Sequence, residues 1–231
     1  MFTASWDGKV SIGLLNVVHK WARKFDIVLQ TANHLVPLDY ARNWGIAKFL
    51  QTDCTHFLGV DTDIVPVGEC LERLVEENKD CISPVIFTTK PDTHPDIDIK
   101  KDAVPVPVPI IFRKTSKGLR IIPPNGKKLM DVDLAPGGMF LVKRKVIESI
   151  KKPAFKYKYH RNGVVIGGTD VYFSERLQKH GYKIHIHTKV FAEQWIDIGA
   201  KSINDTMVRY SPRNIEEKLK ELIKQKEAKN G

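Results

Sequence analysis

The stretch Thr55-His56-Phe57-Leu58-Gly59-Val60-Asp61-Thr62-Asp63-Ile64 decides how this chain is read. An apolar run of strand type ends in two carboxylates separated by one residue. Side chains alternate along a strand, so Asp61 and Asp63 share a face if the strand continues through them. Paired carboxylates at the mouth of a sheet make a poor core and a good seat for a divalent cation. Hard cations such as Mg²⁺ take oxygen ligands and commonly share them with substrate phosphates. In open α/β sheets, ligands bind beyond the carboxyl ends of the strands. Position and chemistry therefore agree on a metal–phosphate site. Read alone, the same residues are also compatible with a polar turn after a buried strand, and the flanking sequence has to decide.

Upstream, the spacing of Ile12, Leu15, Val18 and Ala22 predicts a helix over 11–24. Residues 25–30 read as a strand and 38–51 as a second helix. Downstream, 68–78 read as a helix with Leu71, Leu74 and Val75 inward, and 81–87 as a strand. Helix and strand thus alternate, which predicts an α/β fold with a parallel or mostly parallel sheet flanked by helices. The later half is less regular. Residues 88–102 read as a loop. Val104 to Pro109 alternates valine with proline, an edge strand or polyproline segment. Short strands are predicted at 118–122, 129–134, 139–142 and 183–187, with a short helix at 144–150. Residues 151–168 are basic, aromatic and glycine-bearing, and read as a mobile loop. Thr169 is expected to cap a helix over 170–180 that Gly181 ends.

The chain has 231 residues, 42% hydrophobic and 28% charged, which fits a globular protein of one main domain, here 1–200. Residues 201–231 read as a basic extension, with Ile215, Leu219, Leu222 and Ile223 on one helical face. Its expected role is to pack on the domain, although an anionic membrane surface is a possible partner. No apolar run reaches the roughly 18 residues of a membrane span. The first residues lack a charged leader before an apolar stretch, so a cytoplasmic location is expected. Cys54, Cys70 and Cys81 fit neither a zinc pattern nor a disulfide framework, and read as free thiols with some burial. The net charge of +10 suits a polyanionic partner such as nucleic acid, membrane or a phosphorylated substrate.

Four features stand in order along the chain. Ala41-Arg42-Asn43 and Gly45 precede the acidic strand. Asp61-Thr62-Asp63 ends it. Pro136-Gly137-Gly138-Met139 feeds a further strand, and Gly168-Thr169-Asp170 opens a helix that stops at Gly181-Tyr182. This order resembles the GT-A glycosyltransferases, in particular the family 2-like enzymes and their compact versions from phages and archaeal viruses. The likeness covers roughly residues 2–195.

The resemblance implies an enzyme that moves a sugar from a UDP- or GDP-linked donor to an acceptor hydroxyl. It implies Mn²⁺ or Mg²⁺ at Asp63, with Asp61 near the ribose and metal. A metal there stabilises the negative charge that develops on the departing diphosphate. Arg42 is expected to contact the nucleotide or to hold Asp61. Asp170 matches the family's general base for inverting transfer, which takes the proton from the acceptor hydroxyl. Gly137 and Gly138 would let the backbone approach the donor sugar or acceptor. Thr3, Ala4 and Ser5 would border the nucleotide base. The acceptor is left open among glycan, lipid, protein and nucleic acid.

Two departures stand out. Thr169 replaces the glutamate that precedes the base in the family. The slot for a metal-binding histidine falls near Glu193-Gln194-Trp195, where there is none, which leaves His187 as the nearest candidate ligand. Other classes fit less well. A nucleotidylyltransferase needs a glycine-rich N-terminal loop that Trp6-Asp7-Gly8-Lys9 does not supply. A metal-dependent nuclease needs more clustered acids. A nucleic-acid-binding protein would use 151–161, where lysines alternate with Phe155, Tyr157 and Tyr159.

Overall fold

Helix and strand alternate through the first half as the pattern predicts. In chain order the elements are β1 (Phe2–Ser5), α1 (Ile12–Trp21), β2 (Gln30–Asn33), α2 (Leu38–Phe49), β3 (His56–Val60), β4 (Ile64–Pro66), α3 (Cys70–Glu76) and β5 (Cys81–Lys90). There follow β6 (Val106–Pro109), β7 (Phe112–Thr115), β8 (Gly118–Ile121), β9 (Leu129–Val132), β10 (Met139–Lys143), α4 (Arg144–Ser149), β11 (Lys158–Tyr159), β12 (Val165–Gly167), α5 (Thr169–Lys179) and β13 (Ile184–Gln194). The computed structural model describes residues 1–5, 9–90, 106–116 and 118–194. Two units divide the chain, Met1–Thr88 with Val108–Trp195, and Thr89–Pro107 with Ile196–Gly231. Nearly all of the second, including the expected helix at 214–229, lies outside the described residues.

The main sheet has the order β2-β1-β3-β10-β5-β13-β4, and β9 also pairs with β13. Pairing of β1 with β2 and β3, and of β13 with β5, is parallel. The antiparallel β10 lies between β3 and β5, so β2, β1, β3, β5 and β13 all run one way. The sheet is therefore mixed but mostly parallel, with helices packed against it. The ends of β1, β2 and β3, at Ser5, Asn33 and Val60, lie along one edge.

The core forms where apolar faces meet. Leu14, Trp21, Leu58, Ile64, Leu74, Ile82, Ile86, Met139 and Leu141 are among its buried members. Close approach depends on two glycines. A Cβ on Gly45 would come within 2.3 Å of the Phe2 ring, and one on Gly59 within 2.6 Å of Phe140. Glycine at 45 therefore seats α2 directly on β1, which brings Arg42 to the sheet edge.

Several local expectations change. Ser11 caps α1 by accepting from the Leu14 N–H at 3.1 Å, and the helix buries Leu14 and Trp21, seven residues apart. Ile12 and Leu15 are exposed, so the buried stripe lies one to two positions round from the expected one. The strand expected at 25–30 begins only at Gln30. Residues 24 and 25 fold back onto the end of α1 through hydrogen bonds to Trp21 O. Gly168, not Thr169, is the residue before α5, and the Thr169 hydroxyl is engaged elsewhere. Cys54 is half-buried, whereas Cys70 and Cys81 are buried thiols. Burial pushes Cys81 up to about 12, and it raises Cys70 as well. No helix among the described residues is long and apolar enough to cross a membrane.

The stretch 151–168 begins anchored. Asn43 donates to Phe155 O at 2.7 Å and accepts from the Ala154 and Phe155 N–H groups at 3.0 and 3.1 Å. Phe155 stacks on Phe173 with ring centroids 4.5 Å apart. Beyond it, β11 and β12 pair as a short hairpin. Asn43→Ala leaves these buried backbone groups unpaired and is expected to cost about 2 kcal/mol. Limited trypsin digestion checks this, because the chain should be cut faster after Lys151 and Lys156 in the variant.

Candidate functional site

The strand geometry assumed for the acidic pair ends at Val60. Asp61 N–H donates to Gly138 O at 2.8 Å, and Ile64 N–H donates to Asp61 O at 3.1 Å, which closes a tight turn over Asp61–Ile64. Ser11 N–H donates to Thr62 O at 3.1 Å, so the turn sits at the N-terminus of α1. The two carboxylates consequently have different partners. Asp61 faces Arg42, while Asp63 Oδ2 accepts from Gln194 Nε2 at 2.8 Å. They remain close enough that the charge on Asp63 acts on Asp61.

Arg42 joins the parts of this site. It is only 5% exposed. One terminal nitrogen donates to Thr169 Oγ1 at 2.6 Å. The other donates to both Asp61 oxygens, at 3.1 and 3.3 Å, and to Gly137 O at 3.0 Å. The guanidinium carbon lies 5.6 Å from the Phe155 ring centroid. One side chain on α2 thus holds the end of β3, the Pro-Gly-Gly turn and the start of α5. A planar fork suits this task better than an ammonium group.

Asp61 feels opposing influences. Burial raises its pKa, Arg42 lowers it by charge and by hydrogen bonding, and Asp63 and Asp170 raise it. The side chain nevertheless keeps 36% of its surface open. The net effect is a raised pKa, with burial the largest cause, and the carboxyl group is held in orientation by Arg42 with one side left free for a ligand.

Asp170 lies in the first turn of α5, where the helix dipole favours an anion. Its carboxylate folds back over Gly168. A Cβ there would meet Asp170 Oδ1 at 2.6 Å, so a side chain at 168 would push the carboxylate out of this position. A Cβ on Gly137 would come within 3.4 Å of the Asp170 Cβ and 3.5 Å of the Arg42 nitrogens. Tyr157 reaches the same cluster. Desolvation raises its pKa, Arg42 opposes this, and Asp39, Tyr159 and Asp170 add to it. The structure therefore brings Arg42, Asp61, Asp63, Gly137, Thr169 and Asp170 together, with Tyr157 near them.

The remaining candidates are placed differently. Ser5 ends β1, and its hydroxyl donates to Lys9 O at 2.8 Å. Thr3 is buried within β1, whereas Ala4 keeps some exposure. Gly138 fits against the core, since a Cβ there would meet Ile64 at 3.0 Å. His187 is not with Asp63. It stands opposite Pro84, and Glu193 stands opposite Phe87, about 10 Å further along β5. Its Nε2 lies 3.5 Å from Glu77 Oε1, and its Nδ1 accepts from Lys189 N–H at 3.2 Å. His185 meets Asp131 at 3.3 Å. Gln194 carries no signal of its own in the sequence beyond its place in the 193–195 slot that lacks a histidine, and Tyr157 belongs to the basic, aromatic stretch 151–161.

A cation site built only from His, Cys, Asp and Glu, three or more together, does not occur among the described residues. The donors at the turn are the Asp63 carboxylate, the open side of Asp61 and the Gln194 amide. An amide presents its oxygen when rotated by half a turn. These are hard oxygen donors, and they fit Mg²⁺ or Mn²⁺.

No protein-family model matches the chain, and no curated protein sequence matches it. Its architecture does match solved structures. A197 from STIV is 20% identical at a TM-score of 0.56, over 85% of this chain and 84% of that one. GalNAc-T7, crystallised with UDP, GalNAc and Mn²⁺, is 12% identical at a TM-score of 0.51. That match takes in 91% of this chain and 40% of the other, so this chain spans well under half of GalNAc-T7. At these identities the likeness establishes the fold, a GT-A-like, Rossmann-type α/β sheet.

Arg42→Ala removes the buried partner of the half-buried Asp61 carboxylate and three further contacts. It is expected to destabilise the protein by about 3 kcal/mol. Arg42→Lys keeps the charge but loses the fork, and should recover less than half of that. Chemical denaturation of the three proteins checks both values.

Proposed function

We propose that this chain is a metal-dependent glycosyltransferase. It moves a sugar from a nucleotide-diphosphate donor to an acceptor hydroxyl, with inversion at the anomeric carbon. The observation that carries this reading is the grouping of Asp61, Asp63 and Asp170 around Arg42, at the carboxyl edge of β1, β2 and β3. The GT-A-like fold supports it, as do the UDP, GalNAc and Mn²⁺ bound by GalNAc-T7. Residues 1–200 form the transferase domain in this reading, and 201–231 a C-terminal extension.

Each residue then has a task. Thr3, Ala4 and Ser5 border the nucleotide, at the edge where strand ends leave room for a ligand. Asp63, Asp61 and the Gln194 amide oxygen would hold Mn²⁺ or Mg²⁺, and His187 has no part in it. When bound, the ion supplies Lewis-acid stabilisation of the leaving diphosphate. Arg42 keeps the Asp61 carboxylate aimed at the donor and fixes the Gly137 carbonyl and Thr169 beneath it. Gly137 and Gly138 keep the floor of the site low. The Asp170 carboxylate accepts the proton of the acceptor hydroxyl as its oxygen attacks the anomeric carbon. Thr169 takes the place of the acid expected before the base, and its hydroxyl serves Arg42 instead. Tyr157, beside Asp170, lines the acceptor side.

The donor and proton-transfer roles separate by mutation. Asp63→Ala is expected to abolish Mn²⁺-dependent binding of UDP or GDP. Asp170→Asn should leave that binding intact and slow sugar transfer by about 10²–10⁴-fold. Calorimetry for binding and nucleotide release for turnover check the pair. Unchanged metal-dependent binding in Asp63→Ala would remove the metal assignment, and wild-type turnover in Asp170→Asn would remove the base.

A further inference from the structure

The β11–β12 hairpin has features that the transfer chemistry does not use. Among the described residues its strands pair only with each other. Val164, Val165 and Ile166 are 57%, 50% and 62% exposed, and Tyr159 on the opposite arm is 56% exposed. Neighbouring residues on a strand point to opposite faces, so exposure of both Val165 and Ile166 means that neither face is covered there. The turn between the arms is tight. His160 N–H donates to Val164 O at 2.8 Å, Gly163 N–H donates to His160 O at 2.9 Å, and Gly163 holds a φ of 84°. The hairpin is tied to α5 by Lys158, whose Nζ lies 2.8 Å from Glu175 Oε1. Branched aliphatic side chains are thus held out in solvent on a built element.

Charge within the segment itself has one sign, although Glu175 of α5 pairs with Lys158. Residues 151–168 contain Lys151, Lys152, Lys156, Lys158 and Arg161 and no aspartate or glutamate. Lys151, Lys152, Lys156 and Arg161 are exposed. We propose that this hairpin docks the protein on an anionic lipid bilayer. The aliphatic residues enter the boundary between headgroups and acyl chains, where burial of apolar area drives interfacial binding. Tyr159 sits at headgroup level, as amphipathic rings do. The exposed lysines and Arg161 meet lipid phosphates, and each basic residue near an anionic surface adds attraction. Single-stranded nucleic acid is the competing occupant for a basic, aromatic surface. Its bases stack on aromatic faces, and the exposed Val164-Val165-Ile166 run offers none.

The test uses the full-length protein and sedimentation with phosphatidylcholine vesicles, with and without phosphatidylglycerol, in the absence of nucleotide. Because nucleotide is absent, this test and that of the transferase reading fail separately. The protein is expected to sediment with phosphatidylglycerol vesicles and to be released by salt. Replacing Val164, Val165 and Ile166 together by serine should weaken partitioning about tenfold or more. These side chains are half exposed or more, so the variant should keep its melting temperature, which is measured alongside. Lys151→Ala with Arg161→Ala should weaken binding about fivefold per charge, on the anionic vesicles only. Three results would overturn the proposal. One is no sedimentation with either vesicle. Another is sedimentation that the serine variant leaves unchanged, which would move the affinity elsewhere in the chain. The last is a single-stranded oligonucleotide whose binding the serine variant loses while vesicle binding stays the same.

Discussion

The site depends on one buried guanidinium. Arg42 is carried into a nearly solvent-free position by α2, and a charge there is tolerated only if it is fully paired. Its partners come from three other parts of the chain, the turn after β3, the Gly137 carbonyl and the first residue of α5. Each is far from Arg42 in sequence. Their convergence fixes where Asp61 points and where α5 begins, and the start of α5 determines where Asp170 lies. The spacing of Asp61 and Asp170 therefore follows from satisfying the hydrogen bonds of a single side chain, while Asp63 is held separately by Gln194. Gly45 makes this possible from behind, because α2 could not sit so close to Phe2 with any larger residue.

Much of this architecture could be read from the sequence because strong apolar periodicity and chemical type coincided. The run from His56 to Val60 is apolar and short, and the carboxylates that follow mark its end. Helices α2, α3 and α5 carry their signals locally. Where two local signals competed, the tertiary structure decided. Helix α1 offers one apolar stripe through Ile12 and Leu15 and another through Leu14 and Trp21, and packing selects the second. Residues 25–29 have strand composition, but Phe25 bonds back to the end of α1 and the regular pairing with β1 begins only at Gln30. Thr169 has the chemistry of a cap, yet Arg42 claims its hydroxyl.

The site itself was less legible where function falls to chemically plain residues. Gln194 carries no motif, and nothing local reveals that it will meet Asp63 across the β13–β4 pairing. His187 has the chemistry of a ligand, but the register of β13 places it beside Glu77. The pairing Gln194↔Ile64 is what brings the amide to the turn. Ligand type is a local property, whereas ligand position is set by register, and only the first can be read one residue at a time. The basic stretch after Lys151 shows the same division. Its composition is plain, but its apolar arm became a recognisable surface only once both strands of the hairpin were placed.

The central claim is that the cluster around Arg42 binds a nucleoside diphosphate together with a divalent ion. Calorimetric titration of UDP and of GDP, first with Mn²⁺ and then with EDTA, tests it most directly. The account predicts that at least one nucleotide binds with Mn²⁺ present and that EDTA abolishes the binding. Failure of both nucleotides to bind at high protein concentration, or binding that EDTA leaves unchanged, would contradict it.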